Sequence, residues 1–347
     1  MKKKRSGRTG MIVLCVILGL ILTVLLAGTI YANHLMSLMG RVEIGKEETI
    51  SEEELFLMQE DETIAAGETT APVMDEDEVD WGEETVPLVE KSENIVNILL
   101  IGQDAREKEG RARSDSMILL TFNKEKKTIT MTSFLRDLYV QIPGYKDNKL
   151  NSAYPLGGME LLDEALRVNF GVQVDGNVEV NFHRFADVIN LLGGVEMELR
   201  ADEASYINRK LGAVGISSNL AAGKQMLNGD QALWYSRIRY LDTDADFSRT
   251  NRQRKVISSL IEKFRNTKLT TLMGLVDDLL PMITTDLSNS DIIGYATDLF
   301  PMLADCTITS QRIPDDMHYK LATIRGMSCI VADMNAARQL VAETMKD

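Results

Sequence analysis

IVNILLIG (Ile95–Gly102), followed by MILLTFN (Met117–Asn123) and TITMTSF (Thr128–Phe134), decides the fold. The first is a short apolar run ending in glycine, the pattern of a strand buried on both faces. The other two flank the polar turn Lys124–Lys127 and read as a hairpin. Further on, Tyr139–Ile142 reads as a strand closed by Pro143-Gly144, and Gly158 opens a helix with Met159, Leu162, Ala165 and Leu166 at helical spacing. Val178–Phe182 is expected as strand, Arg184–Leu192 as helix and Val195–Leu199 as strand. Gly229–Pro301 is expected to be mostly helical, Thr307–Ile313 a strand and Asp333–Met345 a closing helix. Strands alternating with helices predict an α/β domain over residues 93–347, its sheet covered by helices on both faces.

Upstream the composition changes. Met11–Ala32 is uncharged and apolar, long enough as a helix to cross the roughly 30 Å hydrocarbon core of a bilayer. Lys2, Lys3, Lys4, Arg5 and Arg8 precede it and no comparable basic cluster follows. The positive-inside rule then predicts a cytoplasmic tail (1–10), a single anchor (11–32) and an extracytoplasmic remainder. Residues 33–92 read as a linker: Leu35–Met58 could prolong the helix, and Gln59–Ser92 is acidic and poor in large apolar residues, an extended spacer. Between Arg41 and Ser92 stand 18 Asp/Glu against 3 Lys/Arg, so most of the net charge of −14 belongs to this segment. The domain beyond it is close to neutral. It has no basic face to displace counterions and no convincing helix-turn-helix, which argues against nucleic acid as a partner. Cys306 and Cys329, the cysteines outside the apolar run, leave open a disulfide or two buried thiols.

Four polar clusters lie at element ends: Gly102-Gln103-Asp104-Ala105-Arg106, Arg111–Ser116, Leu135-Arg136-Asp137, and the long stretch Leu227–Lys255. Ligands of open α/β sheets collect beyond the carboxyl ends of strands, where the first cluster falls. If Tyr235–Tyr240 is extended, Tyr235, Arg237 and Arg239 share a face. If Ser248 caps the following helix, Arg249, Arg252 and Gln253 share another. Arginines repel one another, so folding alone gains nothing from gathering them. Such a group implies an anion, most naturally phosphate, gripped by planar guanidinium groups. Asp104 and Asp115 could hold the hard cation, Mg²⁺, that a diphosphate brings. For Arg106, Arg111, Arg209 and Arg254 the reading is an ordinary surface ion pair.

Together GQDAR, RSDS, LRD, KLNSAY, LLGGVEM, LNGDQALWYSRIR and DFSRTNRQ, in this order over Asn97–Lys255, resemble the LytR-CpsA-Psr family of cell-wall enzymes. The resemblance implies an α-β-α sandwich with a mixed central sheet and an apolar tunnel for a polyprenyl chain. It implies transfer of a secondary cell-wall glycopolymer from undecaprenyl pyrophosphate to a muramic-acid hydroxyl of peptidoglycan. By the same resemblance Asp104 and Asp115 match metal ligands for Mg²⁺ (or Mn²⁺). Arg113, Arg136, Arg237, Arg239 and Arg249 match pyrophosphate-binding arginines, with Gln253 and the acidic Asp246 beside them. Lys149 and Asn151 match a motif at the site's edge, and Arg252 adjoins the set. Leu135 stands where the family usually has proline and Ser116 where it commonly has threonine; neither change removes a charge. Hydrolysis of the same pyrophosphate, or lipid-carrier binding alone, is the alternative expectation, with an envelope-linked transcriptional attenuator as the least favoured reading. With only His34, His183 and His318 in the chain, a histidine base is not expected.

Overall fold

The computed structural model describes residues 33–42, 51, 71–82, 91–103, 113–239, 241–242 and 245–346. The basic tail at 1–10 and the anchor expected at 11–32 lie outside the described residues, as do Asp104, Arg106 and Arg111. Among the described residues no helix is long and apolar enough to cross a membrane.

In chain order, Gly40–Arg41 (β1) precedes Ile95–Gln103 (β2), Ser114–Asn123 (β3) and Thr128–Phe134 (β4). Tyr139–Val140 (β5) and Asn148–Lys149 (β6) lead into helix Ala153–Phe170 (α1), then Gly176–Asn181 (β7) and helix Phe182–Leu191 (α2). Val195–Leu199 (β8), helix Ala201–Ala213 (α3) and Gly223–Leu227 (β9) follow. Next come helices Gly229–Ser236 (α4), Ala245–Asn266 (α5) and Leu269–Leu279 (α6), strand Thr284–Thr285 (β10) and helix Asn289–Leu299 (α7). The chain closes with Thr307–Ile313 (β11), Tyr319–Ile324 (β12), Met327–Ala332 (β13) and helix Met334–Thr344 (α8).

The central sheet runs β1-β10-β7-β2-β3-β4-β11 and is mixed. β2–β3 and β3–β4 are antiparallel, whereas β2–β7 and β4–β11 are parallel. The alternation of side chains assigns its two faces. Leu99, Ile101, Met117, Leu119 and Phe134 form one core with α1 and α8. Ile98, Leu100, Ile118, Leu120 and Met131 look the other way, toward residues of α5 and α7 such as Ile257 and Leu299. Full burial of each of these side chains is worth about 1.5–3 kcal/mol. A continuous apolar run such as Ile95–Ile101 is what a strand covered on both faces requires.

Several expectations are corrected. Tyr139–Ile142 is strand only over Tyr139–Val140, in a small sheet with β6. β8 pairs with β9 outside the central sheet. Tyr235 belongs to helix α4 and Arg237 is its helical C-cap, so Tyr235–Tyr240 is not an extended segment. The reason is local: Asn228 caps α4 by accepting from the Gln231 amide while Gln231 reaches back, a capping box that starts a helix at Gly229. Any side chain at Gly229 would collide with the Ala186 carbonyl, a Cβ there falling 2.0 Å from its oxygen; this close approach packs α4 on α2. Ser248 lies inside α5 and is not its cap.

The linker reading fails over residues 71–82. Val79 is buried with Ala322 and Val331 of the β12–β13 hairpin, and Trp81 stacks on Tyr139 at 6.0 Å between ring centroids. Apolar anchors spaced among the acidic residues dock this segment, and Glu76 pairs with Arg325 at 3.0 Å. Gly40–Arg41 pairs with β10 at the sheet edge, so the upstream helix does not run on to Met58. Cys306 and Cys329 are free thiols, buried in separate apolar clusters. Of the two readings left open, the structure takes the thiols.

Candidate functional site

The site is built where β3, the β4–β5 turn, the segment after α4 and the first turns of α5 meet. Asp115 lies on β3 and half-buried Arg113 immediately precedes that strand. Arg136, in the turn after β4, donates from Nη1 to Asp115 Oδ1 at 2.7 Å and from Nε to Asp137 Oδ2 at 3.3 Å. Lys149 Nζ sits 3.0 Å from Asp137 Oδ1, which ties the end of β6 to the same turn. Asn151 donates its backbone amide to the Arg136 carbonyl at 3.1 Å. Its buried side-chain amide has no hydrogen-bond partner among the described residues. A buried orphan of this kind is costly unless a ligand group or water satisfies it.

Arg249, on α5, is 3% exposed. Burial alone would push the Asp115 carboxyl up, but Arg136, Arg249 and Arg239, the first through a hydrogen bond as well, hold it below its ordinary value. That balance places three arginines from three chain segments around one carboxylate. Arg237 lies at the end of α4, its guanidinium 5.8 Å from the Trp234 ring centroid. Asp246 is placed as backbone in the first turn of α5; its side chain lies outside the described residues.

Beneath this cluster is an apolar cavity, lined by Leu100, Ile118, Val178, Val180, Phe185 and Ile257, with Gly102, Ser116, Ser236 and Gln253 among its few polar groups. Ser116 Oγ donates to Gln253 Oε1 at 3.2 Å, joining β3 to α5. Asp115 precedes Ser116 and Arg237 follows Ser236, so the charged groups stand next in sequence to those that line the cavity. The arrangement suits an amphiphile with an apolar chain and an anionic head.

Arg252 is the exception among the sequence-expected residues. It does not stand with Arg249 and Gln253. Its Nε meets Glu203 Oε1 at 2.8 Å, and it pairs with Asp242, which Arg200 also holds at 2.7 Å. Arg254, expected as a surface ion pair, is instead buried at 6% exposure. Sequence reasoning missed Glu203 and Asp242 entirely; a carboxylate among the apolar positions of α3 was the available signal.

The depressed Asp115 pKa makes a pH prediction. In the unfolded chain this group binds its proton at a higher pH than in the fold. Its contribution to stability is therefore present above the ordinary value of 3.8 and lost as pH falls through the lower folded value. Asp115→Asn is expected to flatten the acid limb of the stability curve below about pH 4, measured by urea unfolding at stepped pH. An unchanged limb would mean Asp115 does not carry this coupling.

The chain matches the model of the LytR_cpsA_psr family over residues 57–346. It is 34% identical over 232 residues to the polyisoprenyl-teichoic acid–peptidoglycan teichoic acid transferase TagT of Bacillus subtilis (strain 168), covering 64% of this chain and 69% of that protein. The solved structure described as TagT bound to LIIa-WTA superposes with a TM-score of 0.59 at 28% identity, covering 81% of this chain and 96% of the other. The LytR-CPS2A-psr family protein YwtF (TagT) with bound octaprenyl pyrophosphate lipid superposes at 0.55, with 28% identity over 77% of this chain and 94% of the other. From its match and its ordered motifs, the chain is a member of the LytR_cpsA_psr family.

Proposed function

We propose that this protein is a phosphotransferase that moves an anionic or secondary cell-wall glycopolymer from undecaprenyl pyrophosphate to a muramic-acid hydroxyl of peptidoglycan. The observation that carries the reading is the meeting of Arg136, Arg239 and Arg249 around an ionised Asp115 beside an apolar cavity. The relatives named for teichoic acid transfer and for bound octaprenyl pyrophosphate support it.

In this reading the polyprenyl chain enters the apolar cavity between the sheet and α2, α4 and α5. The acceptor hydroxyl gives up its proton to water and its oxygen forms a bond to the glycan-bearing phosphorus as the bond to the polyprenyl-phosphate oxygen breaks. Charge then grows on the departing phosphate, and Arg136, Arg237, Arg239 and Arg249 neutralise it from fixed positions. Arg113 and Lys149 extend the cationic rim, and the Asn151 amide and Gln253 supply neutral hydrogen bonds. Asp115 is a poor general base, because its proton affinity is held down by the arginines. Its task is to hold Arg136 and to offer hard oxygens. With Asp104 it would hold Mg²⁺ (or Mn²⁺), and an ionised carboxylate suits that ion. When bound, the ion supplies charge neutralisation at the diphosphate. The anchor at 11–32 would keep the domain beside the outer face of the cytoplasmic membrane, where the lipid-linked donor lies.

The test is ligation by the full chain in detergent, with a polyprenyl-pyrophosphate glycan as donor and peptidoglycan oligomers as acceptor. Ligated product is expected with wild type and not with Arg237→Ala. Release of free glycan phosphate without ligation, or undiminished product from the variant, would refute the reading.

A further inference from the structure

Arg254 is the buried cation that the pyrophosphate cradle does not use. It lies five residues after Arg249 on α5, about 7.5 Å along the axis and on a different flank of the helix. It is 6% exposed, and its Nε and Nη1 are buried with no hydrogen-bond partner among the described residues. The charged group that acts on it is a second arginine, Arg312. Arg312 on β11 lies over the Phe247 ring at 3.9 Å and pairs through Nη2 with Asp316, while its Nη1 is buried and unpartnered. Opposite Arg312 in the parallel β4–β11 register is Ser133, whose buried hydroxyl also has no partner among the described residues. Burial and the neighbouring Arg312 charge push the Arg254 guanidinium down to about 10, so the cation is poorly compensated where it stands.

Arg254 opens on a cavity of about 250 Å³ between α5, β8 and β11, with Lys255, Ser258 and Ser310 in its wall. Glu196 and Glu198 are also in the wall, both exposed, and Glu196 is held by Lys224 at 3.1 Å. Two arginines forced together with donors unmet gain nothing for folding, since replacing a buried unpaired charge usually stabilises a protein. Their donors match a tetrahedral oxyanion.

We propose that Arg254 and Arg312, with Ser133, form a second oxyanion site that takes a single phosphate group, distinct from the pyrophosphate cradle. Two sources share that chemistry: free inorganic phosphate, and a phosphate further along an anionic donor glycopolymer whose pyrophosphate occupies the cradle. The second source rests on the proposed transfer reaction; the first does not. A site one and a half helical turns from the cradle would favour donors that carry phosphate in the glycan over neutral ones.

Two experiments on the full chain in detergent decide it. Inorganic phosphate is expected to raise the thermal midpoint of wild type and of Arg237→Gln, and to raise that of Arg254→Gln and Arg312→Gln clearly less, the remainder coming from the intact cradle. Phosphate stabilisation that is absent from wild type, or that disappears in Arg237→Gln and is undiminished in Arg254→Gln, would overturn the proposal. So would an Arg254→Gln protein that keeps the stabilisation while Glu198→Gln changes the basal midpoint, for then Glu198 serves as the partner. The second compares donors. Arg254→Gln is expected to raise KM about tenfold for a phosphate-containing glycopolymer donor and to leave KM and kcat unchanged for a neutral glycan on the same lipid. Equal effects on both donors would restrict the site to free phosphate. Absence of transfer from every donor, with phosphate stabilisation intact, would fault the transfer reading and not the site.

Discussion

Replacing Arg249 by alanine is expected to lower kcat for glycopolymer transfer by roughly two to three orders of magnitude, the usual cost of removing one preorganised charge from a developing anion. Arg249 is singled out because it is the most deeply placed of the cradle arginines, 3% exposed and close enough to Asp115 to help hold that carboxylate ionised. A charge withdrawn from water acts over a lower effective dielectric and is not replaced by solvent when removed. Lysine keeps the charge and loses the planar two-bond grip, so Arg249→Lys should fall between wild type and alanine. KM for the donor should move less than kcat, because the apolar cavity supplies binding that does not change during the reaction. Initial ligation rates at saturating donor, with circular dichroism to confirm folding, give the measurement. An alanine variant within threefold of wild type would remove Arg249 from the site.

The fold was legible where side-chain periodicity is set locally. β2, β3 and β4 read directly from their apolar runs, and the Lys124–Lys127 turn from its polarity. The segment 71–82 was not legible, because its burial depends on Val79 and Trp81 meeting a hairpin nearly 250 residues later, and acidic composition masks the three apolar anchors Met74, Val79 and Trp81. The arginine cluster was visible as a group, but its partition was not. On a helix Arg252 and Gln253 stand about 60° and 40° to opposite sides of Arg249. Shared-face reasoning tolerates that spread, whereas packing does not. Gln253 reaches Ser116 on β3, while Arg252 turns to α3. Arg254 was misread for a related reason: the strand that buries it, β11, arrives from the far end of the chain and leaves no mark near residue 254.

Loss of the Arg252 side chain is expected to act through stability first, by about 3–5 kcal/mol, as when one partner of a buried ion pair is removed. Arg252→Met would leave the Glu203 carboxylate, 4% exposed and close to Tyr235, without its direct ion-pair partner, only the more exposed Arg200 remaining as a nearby cation. The residue also holds geometry. Its Nη1 donates to the Ile238 carbonyl at 3.3 Å, and its ion pairs span α3 and the segment that ends at Asp242. Arg237 and Arg239 flank Ile238, so Arg252 fixes them relative to Arg249 on its own helix. Urea unfolding of Arg252→Met, Glu203→Gln and the double variant should show coupling: the double variant loses clearly less than the sum of the two singles. Transfer by the folded fraction of Arg252→Met should fall about tenfold or more, because a displacement near 1 Å is enough to misalign the cradle. A residue that touched the pyrophosphate itself would behave differently. It would lose kcat with little change in the urea midpoint and no coupling to Glu203, and that outcome would return Arg252 to the arginine face expected from its spacing.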